Sequence, residues 1–533
     1  GTGKVTLSSN VTFSPTSSFT ITNGGIFEPG SKTFTFNSGS FIINSGGVVS
    51  GVGPNAGILQ TQNNVNFIFR NGSVFNSSVK VNSGNLNAYN DQSPYVGNYF
   101  GTITVDAGAV FSTPGGGYTT VAYNSVTVNG TISIGSGAAF SMKGPSFTNN
   151  NSVTGTSLSF DSVTTVSGTG TYTPTYITIG GTGNLSLGNN VTFSPTSSFT
   201  VVGILNPNTR TLTFNSGAFF VNNGGTVMSS GIFQTQGSVS VIPRNGSNFN
   251  GTFKVNTGTT YCYNENSPYY AVFGGTVTVD AGATLHTNNG GYTFQANNAV
   301  TNNGTITGGS TFRMKGPSLV NNSVHTTSYL NFDTTTNVSG TGTFGSNYMS
   351  IGGTGNVILT SNMTFTPINN FVVSGGGIIN PNTFIFTAIG NFYFNNASTV
   401  TSSGTFRTQG STGLYCRGGS NFNGTLKVNT GTTYSNDDGS PYIGTLFGTV
   451  TIDNGAVLTT LNGGYTLKIM NNVINNGTLS NGGGASLRYY GANLTNNGIV
   501  SAPTFYFDTS SHVLQGTGSW TTNANVVSGS TVN

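Results

Sequence analysis

A unit of about 175 residues is written three times, apolar and polar residues alternate with almost no helical pattern, and a recurrence of about 20 residues runs inside each unit. Together these predict an all-β chain wound as a parallel β-helix, or β-solenoid, with three short strands and three corners per coil. The copies open GTGKVTLSSNVTFSPTSSFT at Gly1, GTGNLSLGNNVTFSPTSSFT at Gly181 and GTGNVILTSNMTFTPINNF at Gly353. They divide the chain into solenoid repeats at residues 1–180, 181–352 and 353–533.

Landmarks recur in step. Ser93-Pro94-Tyr95 returns as Ser267-Pro268-Tyr269 and Ser440-Pro441-Tyr442, and TVDAGA at Thr104 returns at Thr278 and as TIDNGA at Thr451. MKGPS at Met142 recurs at Met314, whereas copy three carries Arg488-Tyr489-Tyr490-Gly491-Ala492. The GVGPN stretch of copy one, from Gly51 to Asn55, has no counterpart and reads as an exposed loop.

The strands follow from period-two patterning. Thr33-Phe34-Thr35-Phe36 matches Thr211-Leu212-Thr213-Phe214 and Thr383-Phe384-Ile385-Phe386, and Val126, Val128, Ile132 and Ile134 alternate with Thr127, Asn129, Thr131 and Ser133. The coils follow from the shorter recurrence. Asn475-Asn476-Gly477 precedes Asn496-Asn497-Gly498 by 21 residues, Asn302-Asn303 precedes Asn321-Asn322 by 19, and Asn129-Gly130 precedes Asn151-Ser152 by 22. Such steps put about eight or nine coils in each long copy. Inward Phe and Val then stack strand on strand at about 4.8 Å, Gly and Asn turn the corners, and stacked Asn amides satisfy one another. The alternative is a string of three antiparallel β-sandwiches, because strand spacing alone does not set strand direction.

Charged residues make up 5% of the chain and aromatics 11%, with a net charge of +4, so the chain has the apolar content to fold and little charge to keep copies apart. Its 15 Lys and Arg are scattered, Arg313 and Lys315 excepted, which speaks against nucleic acid as a partner. No run approaches the roughly 18 apolar residues of a membrane span. Cys262 aligns with Ser435 and Cys416 with Pro243, so the cysteines form no framework. The tail from Gly516 aligns with the junction of copies one and two, so the array is expected to continue.

The eleven acids fall into classes that recur about once per copy. Asp91, Glu265 and Asp437-Asp438 precede SPY; Asp106, Asp280 and Asp453 lie in TVDAG or its variant; Asp161, Asp333 and Asp508 follow an aromatic; Glu28 stands alone. Catalytic β-helices gather carboxylates in one cleft, so this spread reads as solvated corner carboxylates or N–H acceptors. His286, His325 and His512 occupy unrelated positions, and no metal spacing or phosphate loop is present. No catalytic residue, metal or cofactor is expected. Two features remain as binding candidates. Arg70, Arg244 and Arg417 recur ahead of a Gly-Ser pair, with Lys80, Lys254 and Lys427 ten residues on, placed either to grip an acidic polysaccharide or to bond corner carbonyls. Tyr95, Tyr269 and Tyr442 stand in the SPY loops, where they stack on sugar rings or pack on their own corner.

Phrases such as VTVDAGATLHT, NNGTI and FNSGSFIINSGG resemble repetitive bacterial surface proteins of the filamentous-haemagglutinin and autotransporter-passenger kind, and exported repeat proteins of Bacteroidetes. The resemblance is compositional and covers the whole chain. It implies an exported β-solenoid used for adhesion or as an extracellular fibre. FDSV and FDTT also resemble the Asp-Ser/Thr acceptor of Bacteroidetes O-glycosylation, which implies modification at Ser162 and Thr334; Asp508-Thr509-Ser510 departs from it.

The expected protein is a secreted or cell-surface, non-catalytic fibre subunit that joins end to end with copies of itself. A carbohydrate-binding adhesin stalk that meets polysaccharide or host-cell glycans is the alternative, and a polysaccharide-cleaving β-helix enzyme is less favoured.

Overall fold

The computed structural model describes residues 3–51, 57–70, 72–440, 442–508, 511–527 and 531–532. The GVGPN loop after Gly51, Pro441 and Thr509-Ser510 lie outside the described residues. The chain forms two compact units, Gly1–Pro268 and Tyr269–Asn533.

In unit one, backbone pairing runs Phe34↔Leu59↔Val79↔Ile103↔Val126↔Phe147↔Val166↔Leu187, always parallel, in steps of 19 to 25 residues. All eight side chains are buried. Unit two has the same construction in Val357↔Ile379↔Val400↔Phe422↔Leu446↔Ile469↔Tyr489↔Phe507. Antiparallel sandwiches are thereby excluded, and each unit is a parallel β-solenoid without helix among the described residues. Stacking sets the core chemistry, because each inward residue meets its counterpart one coil away. Phe344, Phe365, Phe386 and Phe406 lie ring on ring at 4.8, 4.4 and 5.0 Å, close to the strand spacing. Each such ring contributes about 1.5–3 kcal/mol by burial.

Asn ladders close the coils. Asn302 Nδ2 donates to Asn321 Oδ1 at 2.7 Å and Asn475 Nδ2 to Asn496 Oδ1 at 2.8 Å, both buried. Outside them, Asn322 and Asn497 donate to Asn303 and Asn476. In copy one, Asn150 donates to Asn129, so the coil step there is one residue shorter than the alignment of Asn129-Gly130 with Asn151-Ser152 implies. Copy one has Val128 at the position of Asn302 but keeps the bond that Asn321 makes to the Thr343 carbonyl, as Asn149 donating to the Thr171 carbonyl.

The DAGA corner shows why glycine is needed. Gly108, Gly282 and Gly455 hold φ of 78°, 79° and 77°. One coil on, a Cβ at Gly130, Gly304 or Gly477 would lie 2.2–2.3 Å from the carbonyl oxygen of Ala109, Ala283 or Ala456.

The repeats are not in phase with the faces of the coil. In unit one, strand Ser78–Val81 leads through eight parallel pairings to Asn248–Phe249, and its copy-two equivalent, Thr252–Val255, is the strand after that. In unit two, Tyr270–Phe273 leads through eight pairings to Thr432–Asn436, and its copy-three equivalent, Ile443–Leu446, is again the next strand. A long copy is therefore eight coils plus one strand, so equivalent residues fall on successive faces.

Candidate functional site

The SPY loop connects two strands of one coil. In copy one these are Asn85–Tyr89 and Val96–Tyr99, and in copy three Thr432–Asn436 and Ile443–Leu446. A buried side chain starts the turn by accepting a backbone N–H two residues on: Asn90 from Gln92 at 2.9 Å, Asp437 from Gly439 at 2.8 Å. The loop ends on a tyrosine with left-handed backbone: φ is 59° at Tyr95, 63° at Tyr269 and 62° at Tyr442. Bulky residues seldom adopt this conformation, and local strain of this kind clusters at functional sites. These residues are 43%, 44% and 47% exposed.

Each of the three meets a second tyrosine 23 residues later, one coil on, in the sequence Gly-Gly-Tyr: Tyr118, Tyr292 and Tyr465. Ring centroids are 5.9 Å apart in all three pairs, with interplanar angles of 79°, 79° and 87°. The backbone fixes the pairing: the carbonyls of Tyr95, Tyr269 and Tyr442 accept the N–H of Thr119, Thr293 and Thr466 at 2.9 Å. Glycine makes room, since Gly116, Gly290 and Gly463 lie beneath the second ring at φ of 108°, 104° and 115°. An edge-to-face pair leaves one ring face uncovered where a parallel stack covers it, so these corners can accept the apolar face of a flat ligand. Sequence reading singled out the SPY tyrosines and missed their partners. The constant 23-residue spacing was the available signal.

The recurrent arginines, with Lys80 and Lys427, turn to acid and amide side chains. Arg70 donates through Nε and Nη2 to Asp91 and through Nη1 to Asn44 Oδ1 at 2.7 Å. Arg417 repeats this with Asp438 and with Asn395 Oδ1 at 2.9 Å, and Arg244 pairs with Glu265 and Asn222. Arg417 hydrogen-bonded to Asp438 holds that carboxyl below the usual carboxylate range. Lys80 pairs with Asp106 at 3.1 Å and Lys427 with Asp453 at 3.2 Å, while Lys254 lies outward on Thr252–Val255 beside Gln234. Lys4–Glu28, Arg313–Asp333 and Arg488–Asp508 are further pairs. Acids that the sequence placed in solvent or on backbone N–H groups include several that join adjacent coils. The signal was a base and an acid about one coil apart, legible only once coil length is known.

Asp161 accepts from Ser141 at 2.6 Å and Ser159 at 2.8 Å. Beside it Ser162 is half-buried, and the Thr334 hydroxyl donates to the Lys315 carbonyl at 2.8 Å. Cys262 and Cys416 are buried free thiols. Among the described residues no three His, Cys, Asp or Glu side chains gather as a metal site requires. A cleft of about 420 Å³ lies beside Arg70, walled by Ser73, Asn90, Pro94, Val96 and Asn98.

Compared with family models, with curated proteins and with solved structures, the chain finds no match in any of the three. The fold and its corners define a class, the parallel β-solenoid with a repeated surface aromatic site.

Proposed function

We propose that the chain is a non-catalytic structural and adhesive β-solenoid of the cell exterior whose tyrosine corners bind glycan. The observation that carries this is a tyrosine pair with one exposed member, built three times with the same separation on left-handed backbone. Pyranose rings stack on aromatic faces through their C–H surface, and tyrosine adds a hydroxyl for the sugar's own. The scattering of carboxylates into ion pairs supports a binding role over a hydrolytic one. The test is a glycan array probed with the wild-type chain and with the triple variant Tyr95→Ala, Tyr269→Ala, Tyr442→Ala, alongside reducing-sugar release. Binding lost in the folded variant, without sugar release, is expected; binding unchanged in the variant, or release by the wild type, contradicts the reading.

A fibre whose subunits join end to end is the second reading, favoured by uniform parallel stacking, in which a coil edge presents N–H and C=O groups to whatever lies next. Negative-stain microscopy of the purified chain decides it: threads support the fibre, and monodisperse particles refute it.

A further inference from the structure

In unit two the Tyr269 and Tyr442 corners bound one face of the coil, at opposite edges and eight coils apart. Pairing down that face runs Tyr270↔Thr293↔Thr311↔Tyr329↔Tyr348↔Asn370↔Asn391↔Gly413↔Tyr434, so the corners are separated by roughly 40 Å along the stack at about 4.8 Å per coil. The outward tyrosines of the face are not scattered over it. Tyr329 and Tyr348 share the register position of Tyr270, nearest the Tyr269 edge, and are 46% and 38% exposed. Tyr393 and Tyr415, farther along the stack, stand two residues nearer the Tyr442 edge. Tyr434, in the last coil, returns to the register position of Tyr270, so outward tyrosines mark the face from its first strand to its last between the two corners. Its rings stack in pairs, Tyr329 on Tyr348 at 5.1 Å and Tyr393 on Tyr415 at 4.4 Å, and Asn331 and Ser350 are hydrogen-bonded at 2.9 Å beside the first pair.

Charge identifies the occupant. Both arginines at this line are already matched: Arg313, 5.9 Å from the Tyr270 ring, pairs with Asp333, and Arg417, 4.8 Å from the Tyr393 ring, pairs with Asp438. Apart from Lys315 at its edge, the face offers aromatic, hydroxyl and amide groups with its arginines paired, which fits a chain of neutral sugars better than an anionic one. We propose that this face is a track for a single extended neutral polysaccharide, entering at one tyrosine corner and leaving at the next. The inference rests on the corners binding glycan. Unit one carries a sparser version, with Tyr176 at the position of Tyr348 and Phe220 at that of Tyr393, but Ser157 and Ile242 where unit two has Tyr329 and Tyr415.

The experiment measures affinity against chain length with neutral gluco- and manno-oligosaccharides from disaccharide to long polymer, and with oligogalacturonate as the anionic probe. Proteins are the wild type, Tyr329→Ser and Tyr329→Ser with Tyr348→Ser. Tyr329→Ser copies the residue at Ser157, and circular dichroism checks that both variants keep the fold. Expected are a tenfold or greater gain from short to long neutral chains, loss of most of that gain in the double variant, unchanged binding of the shortest chains, and no gain for oligogalacturonate. Affinity independent of chain length, an equal gain for the uronate, or full gain in the double variant overturns the track and leaves the corners standing. No binding of any neutral glycan by the wild type overturns both.

Discussion

Three residues set the sharpest local tests. Tyr442 pays for left-handed backbone with about 1–2 kcal/mol relative to a relaxed residue, and the residue is nearly half exposed. Tyr442→Gly is therefore expected to melt no lower than the wild type while losing glycan binding at that corner; a marked fall in Tm would show that the ring serves packing. Asp437 stands where copies one and two have Asn90 and Asn264, and its Oδ2 is buried without a hydrogen bond. Burial pushes its carboxyl up, so the ionised form costs stability at neutral pH, and that cost is relieved as pH falls through the raised value. Asp437→Asn is expected to stabilise the chain by about 1 kcal/mol at pH 7 and by less at pH 4, read from denaturant midpoints. His325 is buried between Phe312 and Phe344, and desolvation lowers its pKa to about 3. Since the unfolded imidazole protonates near 6.5 and the folded one does not, stability is full above that pH and falls by about 1.4 kcal/mol per unit below it, toward pH 3. His325→Val, the residue copy one carries at Val153, should remove this slope; an unchanged acid profile would contradict the assignment.

At the scale of strands and corners, two devices tie one coil to the next, and they differ in weight. The ion pairs are partly exposed, with 36% and 34% of the Arg417 and Asp438 side chains accessible, so each contributes roughly 0–1 kcal/mol. The Asn ladder is buried, and Asn321 serves it twice: its Oδ1 accepts from Asn302 and its Nδ2 donates to the Thr343 carbonyl at 3.0 Å. Asn321→Ala is expected to cost about 1–3 kcal/mol by leaving those groups unmatched, more than loss of Arg417, as measured by urea unfolding of the two variants. The ladder was legible because it shows twice, as recurring Asn-Asn pairs and as their spacing. The ion pairs were not, since neither Arg70 nor Asp91 signals the other until the coil between them has been closed. Tyr118 escaped for a related reason: Gly115 to Gly117 read as turn residues and drew attention from the ring that follows them.

For the molecule as a whole, three copies in sequence do not mean three copies in line. The sequence displayed the long period, the coil and the core, because all three are matters of residue type at fixed spacing. The face on which each landmark falls depends on the remainder after whole coils, and that remainder required a count of every strand, including long ones such as Thr131–Met142 that bend across a corner. Within each unit this remainder is one strand, and in unit two it sets the Tyr442 corner at the opposite edge of the face from Tyr269. The account centres on one glycan corner per long copy, so stoichiometry tests it most directly. Isothermal titration of the 533-residue chain with the shortest neutral oligosaccharide that binds on the array should give three equivalents per chain, falling to two in Tyr95→Ala; one equivalent or none, or three retained in that variant, would contradict it.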